Sequence, residues 1–118
     1  AMTGMIADMT AQGDVMRAAC SRGYLNATDL ADWLVQHASV AFRDAHHLTG
    51  QLVKMAEQKK CGLEELSLAE MQSVHPKIAA DIFAAITIDA CIARRTSFGG
   101  TSPARVRDAL AAAKKAWA

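Results

Sequence analysis

The chain has 118 residues, a formal net charge of +1, and 52% hydrophobic but only 5% aromatic residues. This length suits one domain whose core is built from Ala, Leu, Ile, Val and Met, and the small charge gives no electrostatic reason to expect nucleic acid or acidic lipid as a partner. Because no apolar run approaches the length of about 18 residues that suggests a membrane span, and no signal sequence is visible, we expect a soluble, cytoplasmic domain.

The first predicted helix carries an apolar stripe of Met2, Met5, Ile6 and Met9. These residues follow the i, i+3, i+4, i+7 spacing of one helical face. Since neither a capping residue nor a turn precedes them, we interpret residues 1–10 as the end of a long helix of a central domain, and residues 11–118 as the C-terminal helical domain. The alternative interpretation is that the methionine-rich face binds a partner helix.

Two helices are predicted next. A short one over residues 15–20 ends at Gly23, a residue type that commonly stops helices. The following helix begins with Asn26 or Thr28 as its cap and runs to about residue 38.

A longer helix over residues 42–60 follows, and Ser39 is its predicted cap. Gly50 lies inside this helix, where glycine costs about 1 kcal/mol relative to alanine; close approach of another helix would explain it. The apolar spacing of this helix and the one before it predicts a shared buried face. Its members are Leu30, Trp33, Leu34, Ala38, Phe42, Ala45, Thr49, Leu52, Val53 and Ala56.

Capping patterns also organise the second half of the chain. Ser67 and Glu70 fit a capping box, which starts a helix that runs through Val74, and another helix is predicted around residues 77–85. In residues 87–95, the apolar residues Ile88, Ala90 and Ile92 occupy every second position, which would suit a short strand. We favour a helix because no second strand could pair with it.

The last predicted helix follows a Gly99-Gly100 turn. Ser102 is its cap and Pro103 its first residue, and it extends to about Trp117. The sequence therefore predicts an all-α fold, a compact domain of about seven short helices.

The histidines do not predict a metal site. His46 and His47 are adjacent on a helix, so their side chains point about 100° apart and cannot share an ion as an i, i+4 pair can. His37 and His75 lie elsewhere in the sequence. We assign His46 a structural or interface contact, with a role beside a substrate as the less favoured alternative.

The three cysteines give no zinc pattern. Cys20, Cys61 and Cys91 are 41 and 30 residues apart and form no CxxC pair. We expect small buried thiols in a reducing compartment.

The turn before the last helix offers an anion site as an alternative to plain capping. Its backbone amides point toward a helix N-terminus, and Arg94 and Arg95 lie just upstream. We favour capping by Ser102, because no P-loop lysine is present. No nucleophile elbow surrounds Ser97 or Ser102, and no pair of carboxylates suggests acid–base catalysis.

Three separated segments resemble one enzyme family. They are YLNATDLADWLVQHASVAFRDAHHLTG at 24–50, GLEELSLAEMQSVHP at 62–76 and ARRTSFGGTSPARV at 93–106. In this order they resemble the C-terminal domain of argininosuccinate lyases, members of the fumarase/aspartase superfamily. The residues that match the family pattern are Asn26, Thr28, Asp29, Leu30, Phe42, Arg43, Ala45, His46, Gly50, Gly99 and Gly100. Ala41 departs from it, since family members commonly have proline there.

The resemblance implies an all-helical, three-domain lyase that forms a homotetramer and cleaves argininosuccinate to arginine and fumarate by base-assisted elimination, without a cofactor. The family's serine loop, with the signature GSSxMPxKxN, does not occur in this sequence, nor does the segment with the catalytic histidine. We therefore predict no catalytic, cofactor-binding or metal-binding residue in this chain, and no activity from it alone. Two alternatives are a free-standing helical interaction or oligomerisation module, and the corresponding domain of a sister lyase.

Overall fold

The computed structural model describes residues 2–117. Within them the chain forms eight α-helices, one 3-10 turn and no strand, which confirms the predicted all-α class. The helices are α1 (Met2–Ala7), α2 (Gly13–Cys20), α3 (Ala27–His37), α4 (Phe42–Lys59), α5 (Leu68–Val74), α6 (Ile82–Ala85), α7 (Ile88–Ala93) and α8 (Pro103–Trp117), and the 3-10 turn is Leu63–Glu65.

The core lies between α3 and α4, which pack against each other, and it is closed by the 3-10 turn, α5 and α6. Fully burying one Leu or Ile side chain stabilises a fold by about 1.5–3 kcal/mol, so this cluster supplies most of the driving force for folding. Its largest fully buried side chains are Leu30, Leu34, Leu52, Leu63, Met71, Ile78, Ile82 and Ile86.

Local capping explains where α5 and α7 begin. The Ser67 hydroxyl accepts from the Glu70 amide at 3.3 Å, while the Glu70 carboxylate accepts from the Ser67 amide at 2.9 Å, which confirms the predicted capping box. Thr87 caps α7 by accepting from the Ala90 amide at 3.2 Å, so the favoured helix over this segment is also confirmed.

Two other predicted caps are corrected. Ser39 does not cap α4: its backbone is left-handed, with φ of 56°, and it closes α3 instead, where the Val40 amide donates to the Leu34 carbonyl at 3.2 Å. Asn26 does precede α3, but its side chain does not cap it. The Asn26 amide group donates to the Ile86 carbonyl at 3.0 Å, because α6 lies close enough to compete for it.

The predicted buried face of α3 and α4 is largely confirmed, with Phe42 as the exception. Leu30, Trp33 and Leu34 are buried as expected, whereas the Phe42 side chain is 67% exposed. Phe42 is the first residue of α4. Among residues 2–117 no helix approaches Gly50 as expected, because a Cβ built there would meet no atom within 4 Å outside the backbone of its own helix.

Several helix boundaries differ from the predictions: α1 ends at Ala7, before Met9, and α7 spans Ile88–Ala93 rather than residues 87–95. The helix α2 begins at Gly13, two residues before the predicted start. Only Ile82–Ala85 is α-helical in the segment predicted as a helix over residues 77–85, and turns precede it.

The terminal helices stand apart from the core. No residue of α1, α2 or α8 is buried. The chain measures 55 × 28 × 22 Å and its radius of gyration is 18.1 Å, against about 13–14 Å for a compact protein of this length. The compact part of the domain is thus its middle, and several apolar side chains face solvent outside it, including Met2, Met5, Ile6, Met9, Val15, Met16, Phe98, Leu110 and Trp117.

None of the helices formed by residues 2–117 combines the length and the hydropathy needed to cross a bilayer.

Candidate functional site

The most concentrated polar cluster of the core surrounds Asp29. This residue lies in the first turn of α3 and is only 2% exposed. Its two carboxylate oxygens accept from Arg94 Nη2 at 2.9 Å and from Arg95 Nη2 at 2.8 Å. We call these three residues the Asp29 clamp. A buried carboxylate is tolerated only when it is paired and hydrogen-bonded in this way.

The end of α7 positions the two arginines. Arg94 occupies the C-terminal cap of that helix, and its Nη2 also donates to the Ala85 carbonyl at 2.8 Å. The guanidinium group of Arg94 therefore joins α3, α6 and α7 at one point. Both arginine side chains remain a little under half exposed, at 43% and 45%, so the clamp lies at the edge of the core.

The glycine turn after the clamp sets the start of α8. A Cβ at Gly100 would lie 2.2 Å from the Arg95 carbonyl oxygen, so only glycine fits there. That same carbonyl accepts from the Ser102 amide at 3.2 Å, and the Ser102 hydroxyl accepts from the Arg105 amide at 3.4 Å. Ser102 thus acts as the predicted cap.

The anion-site alternative at this turn gains no support from the geometry. Arg94 and Arg95 direct donors toward Asp29, which already carries a compensating charge. Ser102 is used as a cap and is buried. The turn and its two arginines therefore have structural roles in this chain.

The thiol beside the clamp is unsuited to nucleophilic chemistry. Burial, followed by the negative charge of Asp29, raises the pKa of Cys91 to about 11. At neutral pH the group is therefore a neutral thiol, whereas attack requires the thiolate. Cys20, Cys61 and Cys91 are all free and half-buried, rather than fully buried as expected.

The histidines lie at separate places. The His37 ring stacks on Trp33 with centroids 5.1 Å apart, His47 lies 3.0 Å from the Gln51 amide nitrogen, and His46 is exposed on α4. In the described part of the chain, no three His, Cys, Asp or Glu side chains form a group that could hold a metal ion. That no residue here binds a metal or cofactor or acts in catalysis stays a prediction.

A second feature is an apolar groove between α3 and α4, with a volume of about 210 Å³. We call it the α3–α4 groove. Thr49 lies in it and is 6% exposed, and its hydroxyl has no hydrogen-bond partner among the described residues. The groove is lined by Ala27, Thr28, Ala31, Phe42, His46, Thr49, Gly50 and Val53.

The two arginines stand out in the sequence as candidate site residues, whereas their partner Asp29 does not. Asp29 lies four residues before Trp33, on the apolar face of α3, and a carboxylate at such a position indicates a buried ion pair. The identity of the partners could not be read locally, because Arg94 and Arg95 are 65 and 66 residues away.

Comparisons with known proteins agree with one another. A family model described as "Argininosuccinate lyase C-terminal" matches residues 24–93, the part of the chain that contains the packed core. The chain is 51% identical over 107 residues to "Argininosuccinate lyase" of Chelativorans sp. (strain BNC1), covering 91% of this chain and 23% of the relative. It is 50% identical over 115 residues to "Argininosuccinate lyase 1" of Mesorhizobium japonicum, covering 98% of this chain and 25% of the relative. The chain thus spans about a quarter of the length of these curated relatives.

Proposed function

The chain belongs to the argininosuccinate lyase C-terminal family, and on that basis we propose that it is the C-terminal structural domain of an argininosuccinate lyase. The intact enzyme would cleave argininosuccinate to arginine and fumarate by base-assisted elimination in arginine biosynthesis. The observation that carries the proposal is about 50% identity, over 91% and 98% of this chain, to two proteins of that name.

The proposed role of this domain is support rather than chemistry. Its polar cluster is an ion pair that holds helices together, and the half-buried Cys91 thiol is protonated at neutral pH. The segments that carry catalytic residues in the family do not occur in these 118 residues. The isolated chain is therefore proposed to be inactive and to need no cofactor.

We further propose that the domain works within a homotetramer. The support is the exposure of apolar side chains on α1, α2 and α8, since none of the residues of these three helices is buried. Residues 1–10 are proposed to belong to a long helix of a preceding domain, and residues 11–118 to the C-terminal domain. Three free cysteines also suit a reducing compartment such as the cytoplasm.

Fumarate release from argininosuccinate, followed by ultraviolet absorbance, tests this proposal. The product of the whole reading frame is compared with the 118-residue chain, with a separately expressed upstream portion, and with a mixture of the two pieces. We expect activity from the whole product and from the mixture, and none from either piece. Activity from the 118-residue chain alone would contradict the structural role.

A free-standing interaction module is the second candidate, favoured by the same exposed apolar faces. It predicts a reading frame with a start codon and ribosome site directly before residue 1. The lyase proposal instead predicts an in-frame upstream segment that contains the family's serine loop. If the product of the whole reading frame contains such a loop but releases no fumarate from argininosuccinate, a sister lyase is favoured.

A further inference from the structure

Three features of the α3–α4 groove are unfavourable in this chain taken alone. The buried Thr49 hydroxyl has no partner among the described residues, although a buried polar group without a hydrogen bond destabilises a fold. Gly50 weakens the middle of α4, yet no described residue approaches the space beside it. Phe42 exposes 67% of its side chain at the edge of the same groove.

A covering segment would account for all three features together. It would supply a hydrogen-bonding group for Thr49, occupy the space that Gly50 leaves open, and remove the Phe42 ring from water. The walls from α3 are the small residues Ala27, Thr28 and Ala31, which allow close approach. Since His46 is the only titratable residue among those that line the groove, an apolar segment fits it better than a charged one.

The size of the groove indicates where this segment comes from. Its volume of about 210 Å³ is similar to that of cavities of about 150 Å³ that accept one benzene ring, so it accommodates one or two apolar side chains. Even an aromatic side chain buries only about 150–250 Å², so one or two side chains bury far less than the roughly 1,200–2,000 Å² of a stable interface between separate proteins. A segment tethered to the domain needs no such area, because its effective concentration is high.

We propose that the α3–α4 groove is the docking site for an apolar segment from the rest of the lyase polypeptide, and that this segment packs on Gly50 and hydrogen-bonds Thr49 Oγ1. This inference rests on the proposed function, because about three quarters of each relative's length lies outside the matched region. The expected helix contact at Gly50 is thus supplied from outside these 118 residues.

The test compares the same substitutions in two contexts, the 118-residue chain and the product of the whole reading frame. In the 118-residue chain, both Gly50→Leu and Thr49→Val should leave the Tm unchanged or raise it. The leucine side chain of Gly50→Leu enters open space, and Thr49→Val removes an unpaired hydroxyl. In the whole product both should lower the Tm by several degrees. Thr49→Ser keeps the hydroxyl and should restore most of the loss caused by Thr49→Val.

Two further variants keep the test decisive. Gln51→Leu places the same side chain on exposed α4 surface outside the groove and should act alike in both contexts. If Gly50→Leu prevents folding of the whole product, Gly50→Ala replaces it: it should raise the Tm of the 118-residue chain but give no gain in the whole product.

Equal effects of Gly50→Leu, or its Gly50→Ala replacement, in both contexts would overturn the proposal. A loss that appears in the 118-residue chain and grows with its concentration would also overturn it, and would assign the groove to a second copy. The Tm readout is independent of fumarate release. A product without lyase activity that still shows the context difference would refute the proposed function and leave the docking site standing.

Discussion

At the scale of single residues, the Asp29 clamp connects the start of α3 to the ends of α6 and α7. One carboxylate, 2% exposed, fixes two guanidinium groups that lie beyond the last core helix. Losing one partner of a buried ion pair is costly because the remaining charge is left uncompensated. The partly exposed arginines reduce that cost, since water can solvate them.

Asp29→Asn should therefore destabilise the chain by about 2–3 kcal/mol, at or just below the lower limit of the roughly 3–5 kcal/mol lost when a fully buried ion pair is broken. Urea unfolding followed by circular dichroism measures the change.

Asp89→Asn is the matched control, because it breaks a pair of similar geometry with Arg17 at 2.7 Å on the surface, where the side chains are 73% and 60% exposed. It should change stability little. Equal losses of stability for the two variants would show that the buried Asp29 clamp stabilises the fold no more than a surface ion pair does.

The Asp29 clamp also shows which features could not be predicted from the sequence, namely contacts between residues that are far apart along the chain. Ser67, Glu70 and Ser102 were predicted correctly because a cap depends on residues three positions apart. Ser39 was assigned to the wrong helix because its left-handed backbone is set by the end of α3, which local spacing does not reveal. Asn26 and Asp29 have partners at least 38 residues away, and only the folded chain brings them together.

At the scale of helices, the start of α5 is joined to the end of α4. Glu70 accepts from the Ser67 amide and also contacts Lys59 at the last residue of α4. The Lys59 ammonium group first, and the Ser67 amide second, lower the pKa of Glu70 to about 2 from its usual 4.5. The capping box thus closes the connection between two core helices.

This lowered pKa gives a pH-dependent contribution to stability with a defined sign. Because the folded pKa lies below the unfolded one, the contribution is complete above about pH 4.5 and is lost as the pH falls toward 2. Glu70→Gln should lower stability at pH 7 and flatten the decline between pH 4.5 and 2. Urea midpoints across that range measure it, with the exposed Glu57→Gln as the control. If the urea midpoints of wild type and Glu70→Gln fall in parallel as the pH is lowered, Glu70 does not make this pH-dependent contribution to stability.

At the scale of the whole molecule, the described chain combines a packed middle with unsupported ends. Its radius of gyration of 18.1 Å is well above the value of about 13–14 Å for a compact protein of its length. The packed middle coincides with the region that matches the family, residues 24–93. Exposed apolar side chains on α1, α2 and α8 surround it, and such a distribution is typical of surfaces that pack against another part of an assembly.

The isolated chain should accordingly self-associate through these surfaces. Replacing Met5 and Ile6, which are 74% and 65% exposed, by glutamate should shift its apparent mass in light scattering toward the monomer, without loss of helical circular dichroism. Thr3→Glu with Thr10→Glu adds the same charge without removing apolar surface, and should have a smaller effect. If the Met5 and Ile6 variant associates as strongly as the wild type, the chain does not self-associate through this face of α1.

The long separation within the Asp29 clamp has a consequence for synthesis on the ribosome. Asp29 is translated 65 residues before Arg94, an interval of about 3 to 13 s at 5–20 residues per second. During that time α3 and α4 can pair, but the carboxylate of Asp29 has no counter-charge. Burial of this carboxylate is therefore unfavourable until the chain has been made as far as Arg95.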